Sequence, residues 1–243
     1  MSEQPQRVAL FVTCLVDQIM PEVGVAAARL LRRAGFAVDF PAAQTCCGQP
    51  FYNSGYHQEA ARLARHTIET LEGYQAVVLP GGSCTAMLRV EYPHLFADSP
   101  AWQQRAHDLA ARTFELSEFL VRRAEWQPAP IASPPRVTYH DSCHAKRMLG
   151  LGAEARQLLT ALGCTLVEMA ESDRCCGFGG IFSVKMPEVS NAMTAEKLRQ
   201  AAATEADILV TIDPGCLMQM HGLAEGLPCR IEHLATVLEE ATR

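Results

Sequence analysis

"RVALFVTC", residues Arg7–Cys14, is a short apolar run that stops at a cysteine. "RVTYHDSC", Arg136–Cys143, repeats the plan in the second half of the chain, with Arg-Val at the same offset. From each cysteine, 31 residues run to a Cys-Cys-Gly step: Cys46-Cys47-Gly48 in the first copy, Cys175-Cys176-Gly177 in the second. A further cysteine follows each step. Thirty-six residues separate Cys47 from Cys84, and 39 separate Cys176 from Cys216. "AVVLPGGSC" (Ala76–Cys84) parallels "ILVTIDPGC" (Ile208–Cys216), and "FELSEFLVRRA" (Phe114–Ala124) matches "IEHLATVLEEA" (Ile231–Ala241) in length. The 243-residue chain is written twice. Between the copies, "EWQPAPIASPP" (Glu125–Pro135) carries four prolines and reads as a linker. The expected organisation is a first cysteine-rich repeat over 1–125, a linker over 126–135 and a second repeat over 136–243.

Each copy reads as α/β. Val8–Val12 is a buried-strand candidate. Val23, Ala27, Leu30, Leu31 and Ala34 then recur at helical spacing, with Pro21 suited to the first turn and Gly35 to the stop. Phe36–Phe40 gives a second strand, and Ala60, Leu63, Ala64, Thr67, Ile68 and Leu71 a second helical face. Ala76–Leu79 gives a third strand. The second copy places strands near Val137–Tyr139, Thr165–Glu168 and Ile208–Ile212. Two tandem, pseudo-symmetric β-α-β repeats with parallel sheets follow, Rossmann-like in plan. In such sheets ligands bind beyond the carboxyl ends of the strands. Cys14, Cys46-Cys47 and Cys84 each follow a strand, so they are expected at one sheet edge. Cys143, Cys175-Cys176 and Cys216 make a second set.

The net charge of −6 argues against a nucleic-acid partner. Met1–Arg7 is polar and the apolar run behind it is short, which is unlike a signal peptide. No apolar stretch reaches the roughly 18 residues of a membrane helix. These features lead us to expect a cytoplasmic chain, where ten cysteines point to metal ligation or redox chemistry before disulfides.

Four convergent thiolates suit zinc or an iron–sulfur cluster. Structural zinc sites usually draw their ligands from short-spaced pairs such as C-x-x-C, and neither copy has one. Consecutive cysteines diverge and chelate one tetrahedral ion poorly. A cluster with several irons offers separate attachment points. Gly48 and Gly177 let the backbone turn sharply and bring N–H donors near sulfur. The balance favours iron–sulfur over zinc, with zinc the alternative.

The pattern Cys…Cys-Cys-Gly…Cys, occurring twice, resembles the cysteine-rich CCG domains of heterodisulfide reductases and of the iron–sulfur subunits of glycolate and glycerol-3-phosphate dehydrogenases. "VALFVTCLVD", "FPAAQTCCGQPFYNSGY", "YHDSCH" and "RCCGFGGIFSVKMPEVSNAM" are more closely similar to the lactate utilization A family, over essentially the whole chain. The resemblance implies an iron–sulfur electron-transfer subunit in the oxidation of L-lactate to pyruvate. It would act with a ferredoxin-like iron–sulfur subunit and a third lactate-utilization subunit. It also implies one or two [4Fe–4S] clusters on the two cysteine sets. At one point the sequence departs from the wider pattern. Heterodisulfide-reductase-like domains often end in C-x-x-C, whereas these copies end in "CTAM" (Cys84–Met87) and "CLMQ" (Cys216–Gln219). Met87 and Gln219 thus stand where a fifth thiolate would be, which favours a plain four-cysteine cube.

Other residues carry weaker signals. His140 and His144 flank Cys143, and each can ligate iron, bond a cluster sulfur or serve as a core histidine. His144 is the favoured cofactor-contacting residue, with Asp141 capping the turn or orienting it. Tyr52 and Tyr56 can lie over a cluster or seal a core edge. Cys164 and Cys229 have no counterpart in the other copy and read as packing residues. A thiol–disulfide reductase is an alternative function, with Arg174 and Lys185 activating Cys175-Cys176. A zinc-bound assembly scaffold is another.

Overall fold

The structure is a computed structural model and describes residues 6–243. It contains two compact units, divided between Glu125 and Trp126. The first sheet is built from β1 (Arg7–Leu10), β2 (Ala37–Asp39), β3 (Val77–Leu79) and β4 (Thr113–Glu115). The second is built from β5 (Arg136–His140), β6 (Thr165–Leu166), β7 (Ile208–Thr211) and β8 (Arg230–His233). Strand order is β2-β1-β3-β4 in one and β6-β5-β7-β8 in the other, with all pairs parallel. The expected duplicated α/β architecture with parallel sheets is therefore present.

Helices cover the sheets because their apolar stripes need burial. Pro21–Arg33 buries Val23, Ala26, Ala27, Leu30 and Leu31, begins with proline in its first turn, and gives way to Gly35 at φ 91°. His57–Leu71 buries Ala60, Ala64, Ile68 and Leu71. Val77–Leu79 is wholly buried, as a strand covered on both faces must be. Phe11, Ile68, Leu79, Met87, Leu88 and Tyr92 pack in one core of the first unit, with Cys47 and Cys84 at its border. The Pro-rich segment is anchored to the second unit, where Ile131 N–H donates to the Leu162 carbonyl at 3.0 Å.

The fourth strand of each sheet has no clear sequence signal. β4 is three residues long and ends in Glu115; β8 alternates charged or polar residues with Ile231. Both pass directly into a helix that their last residue caps. Glu115 accepts from Ser117 N–H at 2.7 Å and Glu118 N–H at 3.3 Å, and also from the Ser117 hydroxyl. His233 Nδ1 accepts from Ala235 N–H at 3.1 Å. A carboxylate and an imidazole thus perform the same backbone task in the two copies.

Burial pushes the Glu115 carboxyl up to about 8, against the opposing pull of the Ser117 and Glu118 donors. The folded state therefore keeps this proton at pH values where the unfolded chain has released it. Its stabilising contribution is complete below the ordinary glutamate range and is lost as pH rises towards 8. Across that window the stability of the wild type is expected to fall relative to Glu115→Gln, by at most ~1.4 kcal/mol per pH unit. Urea unfolding of both proteins between pH 5 and 8 checks this.

Candidate metal centres

Parallel pairing sets each cysteine at the carboxyl edge of its sheet. Cys14 opens the helix Cys14–Ile19 just beyond β1, and the Thr13 hydroxyl caps that helix by accepting from Val16 N–H. Cys46 and Cys47 lie in the loop after β2, ahead of the helix Gln49–Asn53. Cys84 lies in Gly82–Ala86, directly after β3. In the second unit Cys143 follows β5 and precedes the π-helical turn His144–Met148. Cys175 and Cys176 follow β6, and Cys216 lies in Pro214–His221 after β7, where Asp213 caps the helix.

The sulfurs meet in sequence. Cys14 Sγ is 3.8 Å from Cys46 Sγ, and Cys47 Sγ is 3.2 Å from Cys84 Sγ. In the second unit Cys176 Sγ is 3.1 Å from Cys216 Sγ. None of the ten cysteines is in a disulfide. The adjacent glycine shapes each site in the same way: Gly48 N–H points at Cys46 Sγ and Gly177 N–H at Cys175 Sγ, each at 3.4 Å. Both glycines have positive φ, 86° and 93°. In the first unit the Tyr92 hydroxyl anchors the Cys-Cys step by donating to the Cys47 carbonyl at 2.8 Å. The Thr194 hydroxyl does this for Cys176 at 2.7 Å.

Charge divides unevenly among these sulfurs. Hydrogen bonds from the Cys14 and Cys47 thiols, with Gly48 N–H, hold the Cys46 thiol down to about 3. Those from Cys143 and Cys176, with Gly177 N–H, hold Cys175 to about 2. The donors Cys14, Cys47, Cys143 and Cys176 are pushed up, first by these same sulfur contacts and then by burial. In each unit these contacts favour negative charge on the first sulfur of the Cys-Cys step, and protons on Cys14 and Cys47 in the first and on Cys143 and Cys176 in the second. A bound cation or cluster replaces those protons and ionises the set, so the donor chemistry fits a metal group. In the first unit, Cys14 and Cys46 line a cavity of about 350 Å³ with Val12, Asp17 and Phe40.

The remaining candidates separate. His144 Nδ1 lies 3.6 Å from Cys143 Sγ. Asp141 does not orient it: both carboxylate oxygens bind Arg156 at 2.9 Å, and one also accepts from Ser172. His140 is fully buried, and one of its ring nitrogens and the sulfurs of Cys176 and Cys216 lie within 4.8 Å of one another. Its place at the end of a strand buried from Val137 onward is the sequence signal for it. Tyr52 donates to Glu91 at 2.5 Å, and Tyr56 is exposed. Arg174 is paired with Glu171 and Glu196, so its charge is already balanced, and Lys185 lies on the surface. Gln219 donates to the hydroxyls of Ser190 and Thr194 at 3.1 and 3.0 Å, which ties its helix to the Cys176 anchor. Met87, Cys164 and Cys229 are buried.

A cysteine-rich CCG domain is matched twice, over residues 8–89 and 137–221. A lactate utilization protein A from Exiguobacterium is 47% identical over 97% of this chain and 98% of its own length. The chain belongs to the lactate utilization protein A family. The family member from Bacillus subtilis is 43% identical over 96% of this chain and 98% of its own. Among solved structures, a hypothetical protein from Helicobacter pylori shares the fold: TM-score 0.73, 10% identity, 99% of this chain and 49% of that longer one. No helix among the described residues is long and apolar enough to cross a membrane.

The two glycines differ in crowding. A Cβ on Gly177 would meet the Ser190 carbonyl oxygen at 2.4 Å, whereas on Gly48 the nearest atom is the Ala60 carbonyl oxygen at 3.4 Å. Gly48→Ala is expected to cost about 1–2 kcal/mol from the left-handed backbone alone. Gly177→Ala should cost more, because the backbone of Ser190 must also move. Urea unfolding of the two variants ranks them.

Proposed function

We propose that the two cysteine sets hold iron–sulfur clusters of the four-iron type, and that the chain is a cytoplasmic electron-transfer subunit in the oxidation of L-lactate to pyruvate. A ferredoxin-like iron–sulfur subunit and a third lactate-utilization subunit complete the system in this reading. The observation that carries it is the twice-built edge: three successive parallel strands deliver four sulfurs, strung from the strand-β1 cysteine through the Cys-Cys pair to the last. The names of the family members supply the metabolic setting.

Cys14, Cys46, Cys47 and Cys84 would hold one cluster, and Cys143, Cys175, Cys176 and Cys216 the other. Bound clusters supply one-electron carriers. The chain does the rest. Gly48 and Gly177 offer N–H donors to sulfur charge. Cys47, Cys84, Cys176 and Cys216 are buried, which keeps water from the inner side of each set. The half-exposed Cys14, Cys46, Cys143 and Cys175 leave the outer side open for electron exchange with a partner.

Anaerobically purified protein is expected to contain iron and acid-labile sulfide and to give a paramagnetic signal on reduction. Cys46→Ser and Cys175→Ser should each lose about half the iron, as one of two sites is removed. Zinc in place of iron, or no iron even after reconstitution, would overturn the proposal.

A further inference from the structure

The two centres are alike in cysteine and different beside it. Tyr139 and His140 pair with Val210 and Thr211. Leu10 of β1 pairs with Val78, the residue equivalent to Val210, so Phe11 holds the place that His140 holds in the second unit. Phe11 packs in an apolar core with Cys47 and Cys84. His140 is equally buried, yet neither ring nitrogen has a hydrogen-bond partner. Leaving a buried polar group unpaired is costly. Folds keep such groups where a ligand or ion satisfies them. One ring nitrogen and the sulfurs of Cys176 and Cys216 lie within 4.8 Å of one another.

We propose that His140 donates its ring N–H to the sulfur of Cys176 or Cys216 in the loaded second centre, which sets that centre at a higher reduction potential than the first. The inference rests on the cluster reading above. An imidazole carries at least one ring N–H in either charge state. A hydrogen bond to cluster sulfur stabilises the more electron-rich, reduced state and raises the potential. Phe11 offers no such donor. A second difference is charge: Asp213, where the first copy has Gly81, adds negative charge near Cys143 and Cys216, and a lysine adds positive charge. Gly177 approaches Ser190 and Met193 as Gly48 approaches Ala60 and Leu63, which aligns Lys197 with Thr67. Both are fully buried, and the lysine is a cation whose charge is felt at Cys176. His140 is a positioning and tuning residue, and it adds no ligand.

Cys46→Ser protein isolates the second centre and Cys175→Ser the first, so the midpoint of each can be measured by anaerobic redox titration. The second is expected to be the higher. His140→Phe should lower it in the Cys46→Ser background and leave the first centre unmoved in the Cys175→Ser background. His140→Gln, which retains an N–H donor, should restore part of the shift. An unmoved second midpoint in His140→Phe, with its iron intact, overturns the inference. Should His140→Phe fail to keep its iron, the protein with native His140 decides. Cys46→Ser, His144→Gln protein labelled with ¹⁵N-histidine should show a weak nitrogen coupling to the reduced centre. No coupling, or a coupling as strong as that of a directly bound nitrogen, also overturns it. Absence of iron from the wild type sinks both readings at once, whereas iron in both centres with an unmoved midpoint sinks this one alone.

Discussion

Parallel pairing of one strand with two neighbours is the constraint on which both centres depend. β1 lies between β2 and β3, and β5 between β6 and β7. Parallel strands all end on the same side, so the residues that follow them are brought to one edge however far apart they are in sequence. Three loops then share about two strand spacings, roughly 10 Å. An antiparallel arrangement of the same segments would send the middle cysteine to the opposite edge. The long crossovers that parallel pairing requires are the helices Pro21–Arg33 and His57–Leu71, and their buried stripes fix the sheet on which the loops stand.

The Cys-Cys-Gly step gives the site its polarity. Its first sulfur faces outward, receives a glycine N–H and is half-exposed; its second turns into the core. The reversal needs a left-handed glycine, since a side chain there would be strained. The two copies hold this step with different residues. Tyr92 reaches the Cys47 carbonyl from 45 residues away, whereas Thr194 reaches the Cys176 carbonyl from 18. Duplication preserved the bond and not the donor, as it preserved a helix cap while exchanging Glu115 for His233.

Much of this was legible in the sequence because repetition makes faint signals strong. A strand of three to five residues is hard to recognise alone, yet β1, β3, β5 and β7 each run towards a cysteine at matching offsets. β4 and β8 lack that help. They are short, partly polar and followed at once by a helix, so no alternation marks them. Side-chain partnerships were less legible still. Asp141 sits two residues from Cys143 but is bound by Arg156, and Arg174 precedes the Cys-Cys step but is balanced by Glu171 and Glu196. Adjacency to Cys143 marks His144 more strongly in the sequence than His140. The strand pleat points His140 inwards, to the sulfurs of Cys176 and Cys216.

By itself the sequence determined the duplication, the α/β class and which eight cysteines belong together, because spacing and apolar periodicity are properties of one dimension. Only the tertiary structure decided that one edge of the second unit carries a buried imidazole with no protein partner and a buried ammonium, while the equivalent edge of the first carries a phenyl ring and a hydroxyl. Those differences arise from contacts between residues dozens of positions apart. Their meaning lies in what surrounds each group in space, where burial removes the water that would otherwise satisfy it.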